Sequence, residues 1–359
     1  MRDDNRIAVA PAGLIVREFE PKNLESAQAA LQTFVTANEN FYVRNHFPEP
    51  DVLAESWQLE IAGAVERPFA IGYEELKAMP TRSHVSLMEC AGNGRVFLTP
   101  REPGTQWQSG AVGNAEWTGV PLAAILERAG VRPGAVDVIL EGADRGEILD
   151  EPQSPGPIHF THSIPLTKAL GEDVLLAFRM NGAALPRAHG FPVRAVVPGW
   201  YGMASVKWLS RIRVSETPFH GYFQSLHYSR WERLAETPTL VPVTEMRVKT
   251  TILAPALHEV IAADAPYTMR GVAWGGEIPI VQVEISTDGG QQWTQAKLTG
   301  PSLRYAWRMW EYEWTPEAGS YAVMSRGTDA SGNRQPLERE RDLRSYEITH
   351  VIPIAVVAR

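Results

Sequence analysis

Cysteine is nearly absent from this sequence: Cys90 is the single one in 359 residues. No intramolecular disulfide and no CxxC metal knuckle can form, so cysteine usage says nothing about redox compartment. A basic excess is missing too. Lys and Arg number 34 against 42 Asp and Glu, a net charge of −8, and no stripe of cations offers the footprint that nucleic-acid binding needs. Nor is there a long apolar run: no segment approaches the ~20 residues that a membrane span requires. The first residues, MRDDNRIAVAPAGLIV, carry no twin arginine, and their apolar stretch is short and broken by proline and glycine, unlike a signal peptide. The expectation is a cytoplasmic protein, with a periplasmic one as the alternative if a leader precedes Met1. Internal repeats and low-complexity tracts are not found.

What is present is ordinary for a globular chain, 44% hydrophobic and 21% charged. At ~150 residues per domain, the length suggests about two domains. Residues 21–37 (PKNLESAQAALQTFVTA), with a polar start and an alanine-rich body, predict a helix. SWQLEIAGAV alternates like a strand, and AIGYEELKAMP reads as a short helix stopped by Pro80. HVSLMEC is a strand running into the glycine loop AGNGR, and GVPLAAILERAGVRPG is an amphipathic helix with proline near its start and glycine after its end. DVILEGA is a further strand. The next twenty residues, DRGEILDEPQSPGPIHFTHS, read as one long loop, which in a compact domain is more often functional than idle. From about residue 240 the chain turns into short β-like runs separated by turn signals such as TDGG and DASGN, the pattern of a β-sandwich. The expected boundary lies at 240–250, with domains at 1–242 and 243–359.

Three segments could carry chemistry. Cys90 ends an apolar strand and opens a glycine loop, so its sulfur is expected at a strand terminus facing a cleft. Glycines 92 and 94 let backbone approach a ligand, and Arg95 brings a positive charge to the same loop. A soft thiolate suits a soft or high-valent metal, a nucleophile is the competing active role, and a small buried hydrophobe is the bland one. HGFPVRAVVPGWYGMASVKW, at 189–208, holds His189, Arg194 and Lys207 in a stretch whose glycines and prolines stop regular structure. It reads either as a cradle for an anion or as a rigid surface turn. RNHFP, at 44–48, adds Arg44 and His46 in a proline-flanked loop.

Taken together, YVRNHFPEP, MECAGNGR, NAEWTGVPL, MNGAALPRAHGFPVRAVVPGWYGMASVKWL and the tail with VEISTDGGQQW and AWRMW resemble the sulfite oxidase family, in family order over nearly the whole chain. The resemblance implies an α+β molybdopterin-binding domain followed by an all-β immunoglobulin-like sandwich that forms a homodimer. It implies one molybdenum–molybdopterin per chain, with Cys90 as the metal ligand. The pterin and its phosphate would be held by Tyr42, Val43, Arg44, Asn45, His46, Asp144, His189, Arg194, Ser205, Val206 and Lys207. A substrate oxyanion would meet Arg44, Arg95 and, from RDLRSYE in the tail, Arg344. Two departures stand out. HFTHSIPL puts Phe160 where the family has its active-site tyrosine, with His159 or His162 as replacements, and Gly94 stands where the family often has arginine, so one positive charge near the site is expected to be missing. No haem-binding extension with paired histidines and no flavin or dinucleotide GxGxxG region is found, and the electron acceptor is expected to be a separate protein such as a cytochrome c, or a dye. The implied reaction is oxygen-atom transfer, sulfite to sulfate. Reduction of nitrate or of an S- or N-oxide is the alternative, and a sugar-binding β module built on the TDGGQQW turn is a non-enzymatic one.

Overall fold

The computed structural model describes residues 13–359, so the reading of the first residues as leader-free falls largely outside the described part. The N-terminal half is built on two five-stranded sheets. One runs in the order Ala183–Ala184, Leu175–Met180, Val112–Pro121, Arg82–Glu89, with Arg194–Val196 added beside Leu175–Met180. The other runs Phe69–Gly72, Gln58–Gly63, Leu209–Ser215, Asp137–Gly146, Ile158–Pro165, where only the Gln58–Gly63/Leu209–Ser215 pair is parallel.

Local pattern explains the elements that position the site. In Gln58–Gly63, Leu59 and Ile61 are fully buried while Gln58 and Glu60 are exposed, the period of two that puts one face of a strand on a core. In Leu122–Ala129 the buried residues are Leu122, Ile125, Leu126 and Ala129, one stripe of a helix. It begins directly after Pro121 and ends at Gly130, whose φ of 69° is the left-handed cap that stops helices. The Arg82–Glu89 strand is exposed at its start and buried over its last four residues, so it carries Cys90 into the interior.

Two expectations are corrected. Residues 21–37 form no α-helix: Asn23–Ser26 is a strand and Gln28–Leu31 a single 3-10 turn. Tertiary bonds outcompete the local preference. Leu24 exchanges backbone hydrogen bonds with Val43, Thr36 N donates to Asn114 O, and the Gln28 amide donates to the carbonyls of Ile252 and Leu253 across the molecule. The segment is a strap whose backbone groups find better partners outside itself. The long loop is also shorter than expected. Asp137–Gly146 and Ile158–Pro165 pair antiparallel as far as Gly146↔Ile158, leaving residues 147–157 as the connection.

After the Thr237–Pro242 strand, the chain forms a sandwich. One sheet runs Lys249–Ala254, Tyr267–Trp274, Arg308–Trp314, Lys297–Thr299, and the other Val260–Ile261, Ile354–Ala358, Gly319–Asp329, Ile280–Ser286, Thr294–Gln295. Met269, Val283, Ile285, Trp310, Val323 and Val356 fill the space between. The TDGG segment is a turn closed by its own side chains: Ser286 Oγ accepts from Gly290 N, and Asp288 Oδ1 accepts from Gln291 N and Gln292 N.

The sandwich is bolted to the strand that carries Cys90. Glu89, 1% exposed, accepts from Lys249 Nζ (2.8 Å), Asn93 Nδ2 (3.0 Å) and Trp274 Nε1 (2.8 Å). Lys249 Nζ also donates to Asn93 O at 2.8 Å. Removing one member of a buried ion pair leaves the other charge unpaired and costs about 3–5 kcal/mol. Lys249→Met should therefore lower unfolding free energy by that order in a denaturant titration. Lys249→Met combined with Glu89→Gln should lose clearly less than the two single losses summed, and strict additivity would show that the pair is not coupled.

Candidate active site

Cys90 sits where the Arg82–Glu89 strand gives way to the AGNGR loop. Its N donates to Ala111 O at 2.9 Å, its carbonyl accepts from Asn93 N at 2.8 Å, and the next carbonyl, Ala91 O, accepts from Glu347 N at 2.8 Å. The residue is 7% exposed, its wall position split between two connected spaces. The inner cleft is lined by Tyr42, Val43, Arg44, Asn45, His46, Asp144, Phe160, His189, Arg194, Ser205 and Lys207, together with Phe41, Met88, Ala91, Ala188, Gly202, Met203 and Tyr228. The outer cavity is lined by Arg44, Arg95 and Arg344, and also by Glu18, Asp150 and Glu151.

The structure thus brings together nearly every residue singled out in the sequence. Val206 is the exception: its side chain packs into the main hydrophobic core, its carbonyl accepts from Ala195 N, and it does not line the cleft. Neither histidine offered in place of a tyrosine reaches the site. His162 is fully buried with Nδ1 on Ser163 O, His159 Nδ1 lies on Gly142 O, and neither lines either space. Gly94 is also differently placed from the expectation. A Cβ there would meet Ile348 at 3.1 Å and Lys249 Nζ at 3.7 Å, so the position faces the sandwich, where Lys249 already supplies a cation, and not the cavity. The lack of an arginine at 94 removes no charge from the substrate side.

Arg95 owes its place to two glycines. A Cβ on Gly92 would lie 2.3 Å from Arg95 Nη2, and one on Gly104 3.0 Å from Arg95 Nη1. In the slot they leave, the guanidinium donates to Thr105 O (2.7 Å) and Ser345 O (3.1 Å) and lies over the Tyr346 ring at 5.3 Å. Arg344 is held from the other side by Leu226 O and Ser229. Arg44 donates to Asn23 Oδ1, Asn45 O and the His46 ring. Each guanidinium is anchored on part of its donor set. Arg95 Nη2, and Nε and Nη2 of Arg344, have no partner among the described hydrogen bonds, which leaves them for a ligand.

The donors of the inner cleft suit an anionic, nitrogen-rich group bound through sulfur. Arg194 is spent on the carbonyls of His189, Ala195 and Ser205. Lys207 Nζ reaches Asn45 Oδ1 and Ala188 O and keeps a third proton. Asn45 Nδ2 is buried without a partner, a cost that a bound acceptor removes. Burial, with Arg194 close by, lowers the Lys207 ammonium, and burial raises the Asp144 carboxyl against the pull of Lys207. A phosphate beside Lys207 would restore its charge, and Asp144 can accept from ring N–H groups. His189 Nε2 lies 3.2 Å from Asn38 O; since a carbonyl only accepts, Nε2 carries the proton and Nδ1 is left as an acceptor. These residues fit a molybdenum–pterin group with Cys90 as thiolate ligand.

Comparison with known proteins agrees. Residues 46–223 match the oxidoreductase molybdopterin binding domain, and residues 241–355 the Mo-co oxidoreductase dimerisation domain. Sulfite oxidase of Gallus gallus is 34% identical over 344 residues, covering 90% of this chain and 73% of that protein. The chain belongs to the sulfite oxidase family. The mitochondrial sulfite oxidase of Drosophila melanogaster is 35% identical over 328 residues, which span 85% of this chain and 56% of that one. An NADH nitrate reductase of Cichorium intybus is 32% identical over 336 residues, 84% of this chain but 36% of its own length. Among solved structures, the sulfane dehydrogenase SoxCD from Paracoccus pantotrophus superposes with a TM-score of 0.82 at 27% identity, covering 99% of this chain and 87% of that one. As a member of this family the chain is a molybdopterin-dependent oxidoreductase.

Several lining residues escaped the sequence reading. Leu226, His227 and Tyr228 come from the π-helical turn Phe223–His227 and its exit, a distortion common at functional sites and invisible to periodicity. The signal that could have found them is the density of aromatic and histidine residues in FHGYFQSLHY, at 219–228. Tyr346 lies in RDLRSYE, two residues past Arg344.

The site's imidazoles are kept neutral. Burial, then Lys207 and Arg194, lower His189 to about 3; burial, then Arg44, Arg95 and Arg344, lower His227 to about 3; burial and Arg44 lower His46. In the unfolded chain each takes a proton near pH 6.5. For His189 and His227 the unfolded state therefore binds more protons between about pH 3 and 6.5, and stability falls as pH drops through that window, by up to about 1.4 kcal/mol per pH unit for each of the two. Urea midpoints for the cofactor-free protein should decline on acidification from pH 6.5 to 4, and His227→Gln should decline less steeply. Parallel curves would count against a neutral His227.

Proposed function

We propose that the chain oxidises sulfite to sulfate and passes the electrons to a separate electron-transfer protein such as a cytochrome c. The balance is one sulfite and one water to one sulfate, two protons and two electrons. The observation that carries this reading is the outer cavity, where the guanidiniums of Arg44, Arg95 and Arg344 share one space with the Cys90 thiol.

The bound molybdenum–pterin group would supply the exchange of an oxygen atom and two electrons with the substrate. The residues of the chain do the rest. Arg44, Arg95 and Arg344 draw a small dianion to the wall beside Cys90, and their anchors on Asn23 Oδ1 and on backbone carbonyls fix the guanidiniums before it arrives, so little reorganisation is needed on binding. Asp144 and Lys207 would hold the pterin group and its phosphate, and the C-terminal sandwich pairs two chains into a homodimer.

With protein made in a cofactor-competent host, sulfite should bleach the visible spectrum of the oxidised wild type, and Cys90→Ser should lose both the spectrum and the response. Full activity and an unchanged spectrum in Cys90→Ser would overturn the metal assignment. Turnover of nitrate with reduced viologen, without bleaching by sulfite, would favour the reductase instead. Arg95→Met removes a charge-assisted hydrogen bond of about 1.5–3 kcal/mol, so the KM for sulfite should rise at least about tenfold. Sizing at micromolar concentration should return a dimer, and a monomer would contradict the pairing.

A further inference from the structure

Residues 344–347 follow the 3-10 turn Arg341–Leu343 and join no strand. Yet they form one wall of the outer cavity, which Arg344, Ser345 and Tyr346 all line. Ser345 O accepts from Arg95 Nε at 3.1 Å, and the Tyr346 ring lies under that guanidinium. Glu347 N donates to Ala91 O, next to Cys90. Two of the four residues have an unusual backbone. The φ angles are 53° at Arg344 and 51° at Glu347, in the region that L side chains rarely adopt. Such a conformation persists only where the surroundings hold it.

What holds this segment is guanidinium bonds to its carbonyls. Among the described hydrogen bonds no backbone N–H reaches the carbonyl of Arg344, Ser345 or Tyr346. Arg95 takes the one at 345. Arg339 takes those on either side: its Nη2 donates to Arg344 O and, at 3.0 Å, to Tyr346 O. Its Nη1 lies 3.4 Å from Glu347 O, which Thr349 N also reaches at 2.9 Å. Arg339 itself is half-buried and lines neither the inner cleft nor the outer cavity. Its side-chain bonds all go to backbone carbonyls, and those carbonyls belong to the one segment that presents Arg344 and anchors Arg95. Without it, the carbonyls of 344 and 346 lose their partner, and nothing opposes relaxation of Arg344 to an ordinary φ. A lysine would keep the charge, but an ammonium is a point donor and lacks the planar fork that bridges two carbonyls.

We propose that Arg339 is a positioning residue for the oxyanion seat: its fork fixes residues 344–347 in the conformation that sets Arg344 in the cavity wall and Ser345 O under Arg95. The proposal rests on the sulfite reading above. Its test uses holoenzyme, with sulfate, the reaction product, as the probe of the seat. Calorimetric titration of the oxidised enzyme should show sulfate binding about tenfold weaker in Arg339→Ala, the loss of one charge-assisted contact from Arg344. Molybdenum per chain should be unchanged. The KM for sulfite should rise in parallel while kcat stays within about twofold, because a misaligned seat loses binding to substrate and transition state alike. A fall in kcat at unchanged KM would overturn the proposal. Arg339→Lys separates position from charge: it should also bind sulfate at least about fivefold more weakly, and affinity within about twofold of wild type would show that charge alone suffices and would overturn the proposal. Should Arg339→Ala fail to fold or to hold molybdenum, the lysine variant decides alone. On an Arg344→Met background, Arg339→Ala should weaken sulfate binding by a smaller factor than in the wild type, and an equal factor would overturn the coupling. A wild type that sulfite does not bleach and that binds no sulfate would sink the sulfite reading and this proposal together. Normal bleaching with sulfate affinity indifferent to residue 339 would sink only this proposal.

Discussion

The carboxylate of Glu89 is the point on which the rest of this structure turns. It is one residue from Cys90, deep enough to need full pairing, and its partners Lys249 and Trp274 come from the C-terminal sandwich while Asn93 comes from the cysteine's own loop. A buried charge of this kind tolerates few geometries, because every displaced partner leaves an unsolvated group behind. The same constraint fixes three things: the course of the loop after Cys90, the docking of the sandwich, and through that docking the approach of Arg344 to the cavity. The sandwich is thereby part of the site as well as a candidate for pairing two chains.

Electrostatics divide the site into two compartments with different needs. In the inner cleft the cations are mostly committed to carbonyls, and the incomplete groups are single donors and acceptors, Asn45 Nδ2, Asp144 and the third proton of Lys207. That is a cradle for a large ligand with many specific edges. In the outer cavity the incomplete groups are guanidinium nitrogens, Arg95 Nη2 and Nε and Nη2 of Arg344, which suits a small anion with oxygen on every side. The imidazoles between the two are held neutral by burial and by those same arginines. Positive charge at the junction therefore comes from residues that cannot lose it, and the imidazoles act through hydrogen-bond direction.

The strands and the Leu122–Ala129 helix were legible in the sequence because their burial follows a period, two for Leu59 and Ile61, about 3.6 for Leu122, Ile125, Leu126 and Ala129. The strap over residues 21–37 was not, since its partners, Val43, Asn114 and the carbonyls of Ile252 and Leu253, are distant in the chain and no local pattern announces them. The cleft residues could be read through motif resemblance, and the structure gathers all of them except Val206, whose neighbours in the motif line the cleft while it turns into the core. Tyr228 and His227 stayed hidden because a π-helical turn sets side chains off any regular spacing. Gly94 was legible as a departure but not in its meaning. Only the fold reveals that the position looks towards Lys249.

The slot around Arg95 has a consequence for how the sequence can drift. Gly92 and Gly104 lie on separate turns, yet each is empty for the sake of one side chain. A methyl group gained at either would displace the guanidinium without touching residue 95 itself. In this fold the charge at the cavity wall is therefore encoded at three positions, two of which bear no functional group, and a lineage that enlarged either glycine would be free to abandon the arginine.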